Sequence, residues 1–312
     1  MTMELSVVIS AYNEEKMLED CLQSVKDLAD EIVVVDNSST DDTAKVAKRF
    51  TKNVFTQKND PTSIDTQKNF GFSKATGDWI LSLDADERVT PELIKEIKEK
   101  IGNWKLEIGN SDVVGYWIPR KNILFGKWIE HTGWYPDEQL RLFRKGKGEY
   151  KIKHVHEDLV VDGEVDHLSE HILHENYQTI SQFVERNLLR YAPNEAESLV
   201  AKGYTFSYID ALWFPVREFL SRYFAREGYK DGLHGLVLSL LLAAYHLVIF
   251  AYIWEKKNFP EEKELFSISH VRHESEKIAE EFQYWFETEA IKNTKNPLKK
   301  VLLKTKRKLT SS

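Results

Sequence analysis

At 312 residues the chain is long enough to bury a sizeable core in one large domain or two modest ones. A formal charge of −7 argues against nucleic acid as a partner of the whole chain, and a single cysteine, Cys21, excludes an intrachain disulfide and fits a reducing compartment. The charge is uneven, because residues 291–312 hold eight Lys or Arg and no Asp or Glu, so an acidic body carries a basic tail suited to an anionic surface.

The first apolar run, residues 5–9, is too short for a signal peptide and lacks a basic flank, which predicts a protein on the cytoplasmic side. It predicts a buried strand, followed by an amphipathic helix carrying Met17, Leu18, Leu22 and Val25. Residues 31–36 form a second apolar strand, and STDDT at 39–43 opens a helix through Phe50. A short strand at Val54 and Phe55, a helix over 64–75 and a strand over 78–83 follow. Pro91 then starts another helix. Short apolar strands joined by helices predict an α/β fold with a mostly parallel, Rossmann-like sheet covered on both faces. From 112 to 165 the pattern becomes β-like and aromatic, and beyond about 177 it is helical. The expected division is a domain over 1–200, a helical apolar region over 201–290 and a basic amphipathic tail over 291–312.

The strand ending at Leu83 runs into Asp84 and Asp86. Carboxylates spaced i, i+2 on an extended backbone share a face, and hard divalent cations prefer such oxygen ligands. Asn13 with Glu14, Asp36, and Asp137 with Glu138 mark other predicted strand ends, where open α/β sheets bind ligands. No glycine-rich loop follows the first strand and no Gly-Lys-Ser/Thr ending occurs, so neither a dinucleotide fingerprint nor a P-loop is present. A bound nucleoside diphosphate would then be neutralised by a metal.

The ordered motifs VISAYNE (8–14), VVDNSSTDDT (34–43), QKNFG (67–71) and TGDWILSLDAD (76–86) resemble those of family 2 glycosyltransferases. WYPDEQLRLFR (134–144), VHE (155–157), LH (173–174), PVREF (215–219) and GYKDG (228–232) resemble the branch that includes lipopolysaccharide core β-1,4-glucosyltransferases. The resemblance implies a GT-A nucleotide-sugar-binding domain, a nucleotide-sugar donor (uridine-linked), a divalent Mg or Mn ion and inverting transfer to a glycolipid or lipid-linked glycan. Ala11, Asn13, Glu14, Asp36 and Ser38 would line the nucleoside pocket. Lys68, where the family usually has Arg, would meet phosphate as a point charge. Asp84 would serve both donor and metal, joined at the metal by Asp86 and His174. Asp137 or Glu138 would be the base, with Asp137 favoured, although the family order Glu-Asp is reversed here. His156, Glu157 and Arg144 would lie on the acceptor or metal side.

His167, His171 and His174 fall at helical spacing, which raises zinc; without cysteines the first two are better taken as ordinary helix histidines. Residues 232–254 carry no Asp, Glu, Lys or Arg, and 236–254 approaches the length of a membrane span. Basic residues flank both ends, which favours an in-plane or re-entrant hairpin at the cytoplasmic face of a membrane. Leu298, Val301, Leu302 and Leu309 give the tail one apolar helical face among lysines, the pattern of an anionic-membrane binder. The alternatives are a polyprenyl-phosphate glycosyltransferase, a nucleotidyltransferase (opposed by the missing glycine loop) and a non-catalytic membrane adaptor with the same fold.

Overall fold

A computed structural model describes residues 4–60, 64–103, 113–151, 159–261 and 267–310. The chain divides into two compact units, Met1–Leu124 with Tyr135–Asn176, and Phe125–Trp134 with Tyr177–Ser312. The division thus falls after residue 176 and not near 200, and it takes 125–134 out of the expected first domain.

In the first unit the elements run β1 Leu5–Ala11, α1 Leu18–Val25, β2 Glu31–Asp36, α2 Thr43–Ala47, β3 Val54–Thr56, α3 Ile64–Lys74, β4 Trp79–Asp84, β5 Glu87–Val89, α4 Pro91–Asn103 and β6 Val113–Leu124. After β7 Lys127–Trp128, which belongs to the second unit, come β8 Asp137–Arg144, β9 Gly148–Tyr150, β10 Leu159–Val161, β11 Glu164–His167 and β12 Ile172–Tyr177. The sheet order is β3-β2-β1-β4-β8-β6-β12-β5. The β3-β2-β1-β4 half is parallel, as the strand–helix alternation predicts. The other half departs from a mostly parallel sheet, because β8 runs antiparallel to both β4 and β6. The result is a mixed sheet, parallel on one side and antiparallel on the other.

The parallel strands are apolar without alternation because both faces are covered. On one face Val7, Ile9 and Leu81 meet Leu18, Leu22, Leu93 and Ile97 of α1 and α4. On the other, Val8, Val33 and Ile80 meet Phe72 of α3 and Ala75 just past its end. Each fully buried Leu or Ile here contributes about 1.5–3 kcal/mol. Gly71 lets α3 lie close to the sheet, since a Cβ there would stand 2.5 Å from Val8 Cγ1. That approach carries Lys68, one turn earlier on α3, to the end of β4.

In the second unit, α5 Ile180–Phe183 continues through a π-helical stretch, Val184–Tyr191, into α6 Ala192–Ala201. Then come α7 Asp210–Leu220, α8 Leu233–Lys256, α9 Ile268–Asn293 and α10 Pro297–Thr310. Ala192 and Ala196 pack on Ile249 and Ile253 of α8, which is why 180–201 belongs with the helical unit. The expected hairpin over 232–254 does not form: α8 is one continuous helix of 24 residues, because no proline or glycine follows Gly235 to break it. It is long and apolar enough to cross a membrane by length and composition. The tail is helical as expected, with Leu298, Val301 and Leu302 exposed; the Leu309 side chain lies outside the described residues.

Candidate functional site

The carboxyl ends of β1, β2 and β4 lie side by side, with Ala11 in register with Asp36, and Ser10 with Asp84. The predicted nucleoside residues gather there. Asn13 and Ser38 adopt left-handed backbone (φ 56° and 60°), a conformation that asparagine tolerates better than serine. Asn13 Oδ1 accepts the Thr40 N–H at 2.8 Å, and Ser38 Oγ donates to the Gln57 carbonyl at 2.8 Å. Asp36 is buried and its Oδ1 accepts the Ser39 N–H at 3.1 Å. The Glu14 N–H donates to Thr43 Oγ1 at 2.8 Å, holding the segment before α1 against the start of α2.

Beyond β4 the chain turns through Ala85 and Asp86 into β5, so the expectation of two carboxylates on one extended face does not hold. Asp84 accepts Lys68 Nζ at 2.7 Å on Oδ1 and Arg141 Nη2 at 2.5 Å on Oδ2. Asp86 instead faces His174, with Oδ2 at 3.4 Å from Nε2. Glu87, fully buried at 0% exposure, accepts Arg141 at 2.8 Å and Arg120 at 3.0 Å on Oε1, and the Asp84 N–H at 2.9 Å on Oε2. Arg120 also forks onto Asp137 Oδ2 through Nε at 3.0 Å and Nη2 at 2.7 Å. Asn122 Nδ2 donates to the same oxygen at 2.9 Å, while Gln139 Nε2 donates to Oδ1 at 2.9 Å. One polar network therefore joins Lys68 to Asp137. A cavity of about 240 Å³ opens on it, lined by Asp65, Lys68, Asp84, Arg120, Gln139 and Arg141 among others.

Charge balance sets the protonation states. Burial alone would push the Asp84 carboxyl up, but the Arg141 guanidinium and Lys68 ammonium outweigh it and hold it well below the usual range. Burial likewise opposes, and the Arg120 charge with the Asn122 and Gln139 hydrogen bonds prevails, in lowering Asp137. A carboxylate whose folded value is depressed stabilises the fold fully above its ordinary value of about 3.9 and loses that contribution as pH falls through the folded value. The difference in melting temperature between wild type and Asp84→Asn is therefore expected to be constant above about pH 5 and to shrink below about pH 4. Thermal melts of both proteins across that range check it, and a gap that persists unchanged to pH 2 would contradict it.

The donor set fits a divalent cation at Asp86 and His174. Asn122 Nδ2 must face the Asp137 carboxylate, so its Oδ1 faces His174 Nδ1 at 2.7 Å and requires Nδ1 to carry the hydrogen. That tautomer turns the Nε2 lone pair toward the Asp86 carboxylate, a contact satisfied by a second proton or by a cation between them. An imidazole held by an amide oxygen on its far nitrogen is a common arrangement for a metal ligand. Asp84, already paired to two protein cations, is better suited to positioning them. Among the described residues no cluster of three or more His, Cys, Asp or Glu could hold a metal, so phosphate oxygens would complete a coordination shell there.

Other predicted residues fall elsewhere. Adjacent strand residues face opposite ways, and Glu138, away from Asp137, accepts His167 Nδ1 at 2.9 Å. Arg144 pairs in register with Trp79, at the opposite end of β4 from Asp84, and stacks near the Trp79 ring; the strand length puts it about 16 Å from Asp84, which removes it from the metal side. His167 ends β11, His174 lies in β12, and His171 precedes β12 beside Tyr135 Oη at 3.0 Å. Their helical spacing is thus a coincidence of number on extended chain. His156 and Glu157 lie outside the described residues. Arg141, Arg120, Glu87 and Asn122 were not singled out by the sequence. The available signal was period-two alternation, which puts Asp137, Gln139 and Arg141 on one face of β8, and Arg120 and Asn122 on one face of β6.

Residues 6–159 match the model of Glycosyl transferase family 2. The chain is 28% identical to the lipopolysaccharide core biosynthesis glycosyltransferase LpsC of Rhizobium meliloti, over 81% of this chain and 92% of that protein. It is also 28% identical to an uncharacterized glycosyltransferase of Rickettsia typhi, over 77% of this chain and 83% of that one. Among solved structures, S. aureus TarS 1–349 in complex with UDP is 13% identical, covering 84% of this chain and 93% of that chain, with a TM-score of 0.40. Against the longer TarS crystal structure the match spans about half of that chain, 46%, at 17% identity and a TM-score of 0.40.

Proposed function

Residues 6–159 are a family 2 glycosyltransferase domain, and from that premise we propose that the protein is an inverting, divalent-metal-dependent enzyme. It moves a sugar from a uridine-linked nucleotide donor to a glycolipid or lipid-linked glycan at the cytoplasmic face of a membrane. The observation that carries this reading is the continuous line Asp137–Asn122–His174–Asp86, with contacts of 2.9, 2.7 and 3.4 Å. It ties the carboxylate suited to act as base to the pair suited to hold the cation.

In this reading the acceptor hydroxyl attacks the anomeric carbon, its proton passes to Asp137 Oδ1, and the bond to the diphosphate breaks with the electron pair leaving on the diphosphate. Oδ2 is occupied by three donors, while Oδ1 has one and keeps a lone pair for that proton. Lys68 and Arg141, held by Asp84, present positive charge to the departing group. A bound cation would supply further stabilisation of the charge developing there. Membrane attachment is supported by exposed Leu240 and Leu247 on α8 and by Leu298, Val301 and Leu302 on the basic tail helix.

The test is hydrolysis of a panel of nucleotide sugars with Mg or Mn, comparing wild type with Asp86→Ala and His174→Ala. One donor is expected to turn over, with a loss of at least about 100-fold in each variant and a raised metal requirement in His174→Ala. Silence across the panel, with no donor binding by calorimetry, would overturn the transferase reading in favour of the adaptor.

A further inference from the structure

Within the second unit, the loop 125–134 is held by one buried carboxylate. Asp231 accepts the His131 N–H at 3.0 Å, His131 Nδ1 at 3.2 Å and Thr132 Oγ1 at 3.1 Å, and its carbonyl accepts Lys127 Nζ at 2.7 Å. Two arginines close over the same loop. Arg222 Nη1 donates to the Thr132 carbonyl at 2.9 Å, and the Arg226 carbonyl accepts the Thr132 N–H at 3.0 Å. Both Nη1 atoms lie within 3 Å of where a Gly133 Cβ would stand, so the two cations are within about 6 Å of each other, a repulsive arrangement unless compensated. Gly133, at φ 82°, leaves the space that both guanidiniums enter.

The local compensation is incomplete. Arg222 pairs with Glu218 at 2.6 Å, and the other Glu218 oxygen lies 3.5 Å from His246 Nε2. Glu227 is taken by Lys230 and Lys292, and Asp231 is spent on the loop. Arg226 is exposed and has no carboxylate partner among the described residues. Burial and the Arg222 charge lower its affinity for a proton, and the Glu218 charge offsets them only in part. Two planar forks converging over a glycine match the several oxygens of a phosphate, which accepts bidentate hydrogen bonds from each.

We propose that Arg222 and Arg226, over the Gly133 loop, form a phosphate-binding site that recognises a phosphate group on the lipid-linked acceptor. The proposal rests on the acceptor reading given under Proposed function. Calorimetric titration of the full chain with dihexanoyl phosphatidic acid, and separately with inorganic phosphate, tests it. Saturable binding of the lipid phosphate is expected, weakened at least about tenfold in Arg226→Gln and less in Arg226→Lys, with melting curves showing both variants folded. Equal affinity for inorganic phosphate would keep the site and assign it to free phosphate. Arg226→Gln binding as wild type does, or neither probe binding, would overturn the proposal; should Arg226→Gln not fold, Arg226→Lys with undiminished affinity would do the same. Wild-type UDP binding measured in the same series reports the first unit separately: its absence beside intact phosphate binding counts against the transferase and not against this site.

Discussion

Asp137→Asn is expected to lower kcat for sugar transfer by about 10²–10⁴ while leaving the donor KM within about threefold, as for a group acting mainly in the transition state. The substitution is close to isosteric, and the oxygen of an asparagine can still receive the Arg120 fork, so the network that positions Arg120 survives. What is lost is the lone pair on Oδ1. Its replacement, an amide NH₂, meets the Gln139 Nε2 donor now 2.9 Å away, and Gln139 can answer by turning its own amide. Glu138→Gln serves as the comparison, because that side chain lies on the other face with His167, and it is expected to change kcat by less than about threefold. Steady-state kinetics of both variants decide between the two carboxylates that the reversed motif order left open. A large loss in Glu138→Gln with a small one in Asp137→Asn would exchange their roles. The depressed Asp137 carboxyl also sets the pH profile: the base is ready at any pH above about 4, so an acid limb near pH 6 would have to arise from another group.

The parallel half of the sheet was legible in the sequence because burial on both faces leaves an uninterrupted apolar run, as in β1, β2 and β4. The antiparallel half was legible only as β-like, since the order in which β8 and β6 join β4 is decided by pairing across the sheet. The boundary was misplaced for a related reason. Asp231 holds residues 130–132 from about 100 positions away, and no local composition change announces a loop recruited over that separation. At the site, residues at strand ends and in the acidic pair stood out because acidic groups after apolar runs are conspicuous. Arg120 and Arg141 did not, because arginine in a strand ordinarily faces solvent, whereas Arg141 is only 3% exposed and is held there by two carboxylates, Asp84 and Glu87. The two aspartates were treated as a unit by their spacing, and the turn at Ala85 separated them.

Glu87 follows that pair directly and is the residue whose loss should most disturb the fold. Glu87→Gln is expected to destabilise the first unit by about 3–5 kcal/mol, lowering its melting temperature by about 10 °C. The cost arises from what stays behind. Arg141 and Arg120 converge on Glu87 Oε1 at 2.8 and 3.0 Å, and Arg141 Nε is already buried without a partner. Neutralising Glu87 leaves Arg141 with Asp84 and Arg120 with Asp137 as their remaining counter-charges, in a site where water cannot readily replace the missing one. The Gln amide can still accept the Asp84 N–H through its oxygen, but then its NH₂ points at two guanidiniums; turned the other way, it abandons that N–H. Either rotamer leaves a buried donor unmet. Circular dichroism melts of Glu87→Gln and of the exposed control Glu138→Gln measure the difference, and equal melting temperatures would show that the buried arginines are compensated by some other route. Because Arg120 bridges Glu87 and Asp137, the same substitution should also shift the pH at which Asp137 titrates, so activity and stability are expected to fall together in this variant. In Asp137→Asn, by contrast, activity falls while the Glu87 contacts remain.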